Sequence, residues 1–414
     1  MPGTGKIVTV VLIFLFPKHI RCTCPRVIRW EENAVSIAKK REPVLIELAP
    51  SSHICKDDSF QEILKKIGKI RVKTSVSGLF VHTDTSRKLL ENSVEDTRDE
   101  FGLASTLFSE NNNECMEKKK SASLALEQIE NKEFCSGQNI VINKYDVSGH
   151  GSVWSMAWLA TVNATTSAHY DRDHNFFTML KGKKRFELWS PLHWPEIDIF
   201  PFFHSRDRQT HLDGVTQPFR PLPTPDYICT LESGAVLYLP PYYFHRVTTI
   251  SERSIAFNAW SSSLENSHVA NQLNHVGQPP NTVPQAIALI HGLLRILNHT
   301  HLVADLVRTR YQPLFSTSTF AQCQDEKFHL QRCPSSFIED AQRPNTTLSI
   351  APLLNALEQK FEILLKYPNE HISNERHARS VAEIIAMDYI ERIAMFLFGP
   401  NRACTFLRCF IHAT

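Results

Sequence analysis

Glycine is scarce in this chain. Fourteen glycines in 414 residues leave little from which to build a phosphate-cradling loop. No GxSxG elbow, GxxxxGK[ST] loop or HExxH helix is present, which removes the commonest hydrolase, nucleotide-binding and zinc-protease signatures. An excess of either charge is also missing: 45 Lys plus Arg stand against 43 Asp plus Glu, a formal net charge of +2. No overall field selects nucleic acid or an anionic membrane as partner, and the basic clusters Lys118 to Lys120 and Lys181 to Arg185 are too short to create one. The ten cysteines include no CxxC pair, so zinc-ribbon chemistry is not indicated. No apolar run approaches the roughly 20 residues of a membrane span.

The longest such run, Ile7 to Phe16, is interrupted only by Thr9 and follows Lys6. It has the length of a secretory hydrophobic region, so residues 1–24 are expected to be a signal peptide and the chain to enter the secretory pathway. Sequons at Asn163, Asn298 and Asn345 suit that route, although Asn163 falls in the expected β core. In an oxidising lumen Cys323, Cys333, Cys404 and Cys409 are the disulfide candidates; their pairing is not readable from sequence.

With 42% apolar and 21% charged residues the chain has the composition of a folded globular protein. Residues 25–138 read as an α/β lead-in: a helical stretch from Trp30 to Arg41, a strand from Pro43 to Leu48, a helix from Ser59 to Ile67, and a polar surface loop near residues 91–120. From 139 to 262 short β-rich runs follow one another (Ile140 to Ile142, Trp154 to Val162, Phe176 to Leu180, Phe186 to Trp189, Ala235 to Leu239, Ser254 to Trp260), the pattern of an antiparallel sandwich or barrel. Residues 263–414 turn helical, with apolar positions at Ile287, Ile290, Leu294 and Leu297, then Leu353, Leu357, Phe361 and Leu364. A third series runs from Val381 through Ile385, Tyr389 and Ile393 to Phe396 and stops at Gly399-Pro400. This helical region offers a surface for homodimerisation or a roof over a substrate groove.

In Ala168-His169-Tyr170-Asp171 an imidazole and a carboxylate stand two residues apart, and on a strand both face the same side. His245, just after the run Ala235 to Leu239, supplies a second imidazole from a neighbouring strand. Two His and one carboxylate make the facial triad of non-haem iron, which leaves adjacent coordination positions open. Asp173-His174 is a rival pair nearby. The alternation in Lys184-Arg185-Phe186-Glu187-Leu188 turns Lys184 inward with Phe186 and Leu188.

These residues, taken with Thr165-Thr166-Ser167, Asn175-Phe176-Phe177, Lys181 to Arg185, Leu239 to His245 and Phe257 to Trp260, resemble the JmjC family in order and spacing. Within it the style is that of 2-oxoglutarate hydroxylases such as the asparaginyl hydroxylase acting on hypoxia-inducible factor. The resemblance runs from Trp154 to Trp260, about a quarter of the chain. It implies a cupin-like double-stranded β-helix, or jelly roll, with Fe(II) held by His169, Asp171 and His245. It also implies 2-oxoglutarate as cosubstrate, with Lys184 and Thr166 on its distal carboxylate and Asn175, Asn258 and Trp260 lining the pocket. Tyr145 is the tyrosine placed for a further cosubstrate donor. The reaction so implied consumes O2, converts 2-oxoglutarate to succinate and CO2, and hydroxylates a protein or peptide side chain. A turnover-deficient binding protein, an RNA-directed hydroxylase and a demethylase are the alternatives.

Overall fold

Alternating side chains through residues 153–261 bury both faces of some strands and one face of others, and a computed structural model shows how the strands associate. The structure describes residues 24–30, 33–52, 57–67, 69–75, 79–80, 97–103, 121–127, 142–204, 206–211, 221–270, 280, 282–315, 323, 333, 347–366 and 372–413. The strands are β1 (Val27–Arg29), β2 (Val44–Glu47), β3 (Lys69–Ser75), β4 (Leu79–Phe80), β5 (Thr97–Leu103), β6 (Ser121–Glu127), β7 (Val153–Thr161), β8 (Thr165–Tyr170), β9 (His174–Lys181), β10 (Lys183–Trp189), β11 (Tyr227–Glu232), β12 (Val236–Leu239), β13 (Phe244–Thr249) and β14 (Arg253–Ser261). They form a nine-stranded sheet, β1-β2-β12-β9-β14-β7-β6-β3-β5, facing a five-stranded sheet, β11-β10-β13-β8-β4. This is the cupin-like two-sheet core expected from the sequence.

The lead-in is built into that core, because β1, β2, β3, β5 and β6 all belong to the larger sheet. Its first helix is shorter than the periodicity suggests: Asn33 caps α1 (Ala34–Ala38) through a bond from Ser36 N, 3.0 Å. α2 (Phe60–Ile67) follows. A strand, β5, runs through the stretch expected to be a polar loop, whose other residues lie outside the described ones. Ile142–Tyr145 is a 3-10 turn and no strand; residues 140 and 141 are outside the described set. Asn163 sits exposed in the turn between β7 and β8 with φ of 65°, not within a strand.

β9 explains the layering. Phe176 and Leu180 pack outward on Ile37, Val44 and Tyr145, while Phe177 and Met179 pack between the sheets on Phe186, Leu231 and Val247, as a period of two requires. Gly182 makes the tight turn from β9 to β10. Its φ is 83° and a Cβ there would lie 2.3 Å from the Arg253 carbonyl oxygen, so only glycine fits and the inward register of Lys184 is fixed.

The C-terminal helices are α3 (Val283–Ile296), α4 (Leu302–Leu306), α5 (Thr347–Lys366), α6 (Ile372–Phe398) and α7 (Pro400–Ala413). They share one apolar core with Tyr170, Trp189, Trp194, Tyr242 and Phe244 of the β domain. Gly399-Pro400 ends α6, yet Gly399 takes φ of 72° and Pro400 opens α7, because proline is tolerated in the first helical turn. Disulfides Cys323–Cys404 and Cys333–Cys409 fasten two further residues to α7. Among the described residues no helix is long and apolar enough to cross a membrane.

α6 is surrounded: residues 380–391 are all buried, three carboxylates among them. Asp388 Oδ1 accepts from Arg310 Nη1 at 2.8 Å and its Oδ2 from Arg172 Nη2 at 3.3 Å. Arg310 also pairs with Glu391, and Glu383 accepts from the Trp194 indole at 2.8 Å. Removing one partner of such a buried group strands the other in low dielectric, at a cost of about 3–5 kcal/mol. Asp388→Ala is expected to lose stability of that order in urea or guanidinium unfolding. Lys366→Ala, which breaks an exposed pair with Glu362, is expected to leave the midpoint where it was.

Candidate metal centre and cosubstrate pocket

The two imidazoles face each other because β8 and β13 pair with His169 opposite His245, ring centroids 4.2 Å apart. Val247 then pairs with Thr166, so two steps on β13 match three on β8. That extra residue is a β-bulge, which re-aims a side chain. Thr166 and His169 are an odd number of residues apart and would point to opposite faces of a regular strand; across the bulge both line the same cavity.

His169 Nδ1 is 2.7 Å from the Ser167 carbonyl oxygen and His245 Nδ1 is 3.1 Å from that of Tyr243. A carbonyl only accepts, so both Nδ1 atoms carry the hydrogen and both lone pairs sit on Nε2, the tautomer a metal needs. Asp171 follows the end of β8, its carbonyl accepting from Tyr242 N at 2.7 Å. One ligand atom from each of His169, Asp171 and His245 lies within 4.8 Å of the others. Among the described residues this is the group able to hold a metal.

The carboxylate is oriented by its neighbours. Asp171 Oδ2 accepts from Asn175 Nδ2 at 2.7 Å and from the Trp260 indole at 3.0 Å, and Asn175 Oδ1 accepts from Asn258 Nδ2 at 2.6 Å. Burial works against ionisation of Asp171, but the imidazoles of His245 and His169 and the indole N–H hold its carboxyl below the ordinary carboxylate range. A carboxylate oxygen and two imidazole nitrogens, with positions left open toward a cavity, are a donor set that fits Fe(II).

That cavity, of about 260 Å³, lies between the sheets. Thr166, His169, Asp171, Asn175, Lys184, His245, Asn258 and Trp260 all line it, so the structure brings together the three candidate ligands and the five pocket residues that the resemblance implies. Met156, Trp158, Phe177, Phe186, Leu239 and Val247 make the apolar wall. Lys184 is 6% exposed and donates to Thr249 Oγ1 at 2.9 Å. Burial pushes its ammonium down to about 7, and among the described residues no carboxylate pairs with it to offset that.

Two sequence expectations do not survive. Tyr145 is outside the cavity, on the far side of the larger sheet, its ring tilted against Phe176 at 4.9 Å and its hydroxyl bonded to that of Ser51. Asp173 and His174 are no rival metal pair: Asp173 accepts from Ser263 N at 2.9 Å and Asn266 Nδ2 at 2.7 Å, while His174 Nδ1 bonds the Tyr238 hydroxyl at 2.9 Å. Sequence reasoning passed over Asp207, Arg208 and Gln209, which also line the cavity. Gln209 bridges to His169, and Arg208 takes φ of 65°. The signal was slight: a polar run, 206–209, after the apolar stretch 199–203.

A family model described as a cupin-like domain matches residues 32–266, more than half of the chain. The chain belongs to the cupin-like JmjC family. It is 33% identical over 105 residues to "JmjC domain-containing protein D" of Dictyostelium discoideum, which covers 23% of this chain and 22% of that protein. It is 29% identical over 136 residues to "Lysine-specific demethylase JMJ30" of Arabidopsis thaliana, 31% of each chain. It is 28% identical over 133 residues to "tRNA wybutosine-synthesizing protein 5" of Gallus gallus, 31% of this chain and 40% of that one. The chain thus matches between 22% and 40% of the length of these relatives.

In this cupin-like protein the bonds to Asp171 are separable from the ligand itself. Asp171→Ala is expected to abolish Fe(II) or Co(II) binding in competition with a chromogenic chelator. Trp260→Phe, which keeps the ring and removes the donor, is expected to weaken it by about 10–100-fold. Unchanged affinity in Trp260→Phe would reduce the indole to a wall.

Proposed function

We propose that the chain is an Fe(II)- and 2-oxoglutarate-dependent dioxygenase of the secretory pathway that hydroxylates a protein or peptide side chain. One observation carries this reading: a group able to ligate a metal and a buried lysine, with no acidic partner among the described residues, line one partly open, largely apolar cavity. His169, Asp171 and His245 would hold the iron. Bound there, it supplies the redox chemistry by which O2 decarboxylates 2-oxoglutarate to succinate and CO2 and yields the oxygen atom placed on the substrate.

The protein's own part is binding, orientation and exclusion. The Lys184 ammonium meets the distal carboxylate of 2-oxoglutarate, each charge offsetting the other's desolvation, and the Thr166 hydroxyl donates to the same group. Asn175 and Trp260 hold the Asp171 carboxylate in one orientation, and Asn258 holds Asn175. Phe177, Phe186 and Leu239 keep water out.

The relatives named for lysine demethylation favour a second reading, since oxygenation of an N-methyl carbon uses the same chemistry. The two disulfides favour hydroxylation in an oxidising compartment, away from chromatin. RNA as substrate is disfavoured by the net charge of +2.

Purified protein loaded anaerobically with Fe(II) and exposed to O2 is expected to form succinate from 2-oxoglutarate, and His169→Ala is expected to form none. Stoichiometric iron without succinate, with candidate peptides present, would favour a binding protein instead.

The cosubstrate should also report the state of Lys184. Its amine is protonated below about 7 and neutral above, while a bound carboxylate favours the protonated form. Above that point binding must take up a proton, so 2-oxoglutarate affinity is expected to fall by about tenfold per pH unit from neutrality upward. Lys184→Met is expected to bind weakly at every pH, and calorimetry across pH 6 to 9 checks both.

A further inference from the structure

Among the described residues Cys24 and Cys229 are the unbridged cysteines, the first exposed and the second buried. They are remote in sequence and adjacent in space: Cys24 Sγ is 3.7 Å from the Ile228 carbonyl oxygen, and the two thiols are within hydrogen-bonding reach. Cys24 leads into β1, the edge strand of the nine-stranded sheet, and Cys229 lies on β11, the edge strand of the five-stranded sheet. The sulfurs therefore meet where the two sheets have their open edges.

We propose that Cys24 and Cys229 form a disulfide that clips these two edges together, a modification resting on the secretory part of the function proposed above. The bond forms by thiol–disulfide exchange with an oxidised dithiol protein or oxidised glutathione. Cys24, the accessible thiol, loses its proton and attacks one sulfur of that oxidant, whose other sulfur leaves as a thiol. Cys229 then loses its proton, attacks the Cys24 sulfur of the mixed disulfide and expels the second thiol. Two cysteines are oxidised, one disulfide is reduced, and the protons pass to the departing thiols. Burial holds the Cys229 thiol up at about 12, which leaves the exposed Cys24 as the thiol that attacks first, while Cys229 reacts only once the mixed disulfide holds its target sulfur beside it.

The clip would brace the strand pair that carries the cosubstrate lysine. Cys229 stands opposite Phe186 in the β10–β11 register, and Lys184 stands opposite Leu231. It also requires that Cys24 remain in the mature protein, so that a cleaved leader ends before residue 24 and not at it.

The test is disulfide mapping of the full chain produced through an oxidising compartment. Free thiols are blocked with N-ethylmaleimide, the protein is digested without reduction, and linked peptides are sequenced by fragmentation. The expected product joins the peptides of Cys24 and Cys229 and disappears on dithiothreitol treatment. In Cys229→Ser, Cys24 is expected to become alkylated in the native protein, whereas in Cys24→Ser, Cys229 is expected to react only after unfolding. The Cys323–Cys404 and Cys333–Cys409 peptides in the same digest show whether the sample was oxidised. Both of those linked while Cys24 and Cys229 are alkylated separately would overturn the clip alone. Cys229 joined to Cys22, or a mature chain starting beyond Cys24, would also overturn it. All six thiols alkylated would overturn the compartment together with the clip.

Discussion

The antiparallel pairing of β8 with β13, carrying one extra residue on β8, is the constraint on which the site depends. It sets His169 opposite His245 and turns Thr166 toward the cavity that His169 already faces. Backbone carbonyls two residues upstream then fix both imidazole tautomers. Without the bulge the hydroxyl and the imidazole would occupy opposite faces of a two-residue period, and a pocket needing both could not be assembled from this strand. The rest of the sandwich keeps that pair of strands dry: β9, β12 and β14 place Phe177, Leu239 and Ala256 between the sheets, and the helices close over Tyr170 and Phe244.

Burial that protects the site also sets its charges in opposition. Asp171 is kept ionised against its own desolvation by two imidazoles and an indole N–H. The Lys184 ammonium donates to the Thr249 hydroxyl and, pushed down by burial, yields its proton near neutrality. One end of the cavity is thus prepared for a cation and the other for an anion. A ligand acidic at one end and chelating at the other would satisfy both, whereas a purely apolar guest would satisfy neither.

How much of this the sequence carries depends on what each strand faces. β7, β9, β10, β12 and β14 are legible because they bury Val, Leu, Ile and Phe at regular spacing. β8, Thr165–Tyr170, and β13, Phe244–Thr249, are polar for the opposite reason: their inward positions line a cavity and carry His and Thr. The hydrophobic period fades where function is strongest, and there the His-x-Asp spacing and the resemblance point to the site instead. Two things had no local signal: the bulge, which is a relation between strands, and the approach of 207–209, which rests on bridges to β8 and residues 199–200. Tyr145 was misplaced because position along the chain says nothing about which face of a sheet a neighbouring turn covers.

The C-terminal helices enter the same physics. Arg172, next to Asp171, turns away from the cavity, 3.3 Å from Asp388 of α6 and 3.5 Å from Asp207 at the cavity wall. Its guanidinium also lies 5.0 Å from the Phe202 ring. Ser263 donates to the Arg172 carbonyl at 2.7 Å, so backbone and side chain are both held. Three segments far apart in sequence, at 171–172, at 207–209 and in α6, therefore share one buried ion cluster, and Asp388 joins it to Arg310. Charges held this way tolerate few arrangements, because each displaced partner leaves another unpaired in low dielectric. A helical region that looks in sequence like an appendix is, in these contacts, part of what keeps Asp171 where a metal needs it.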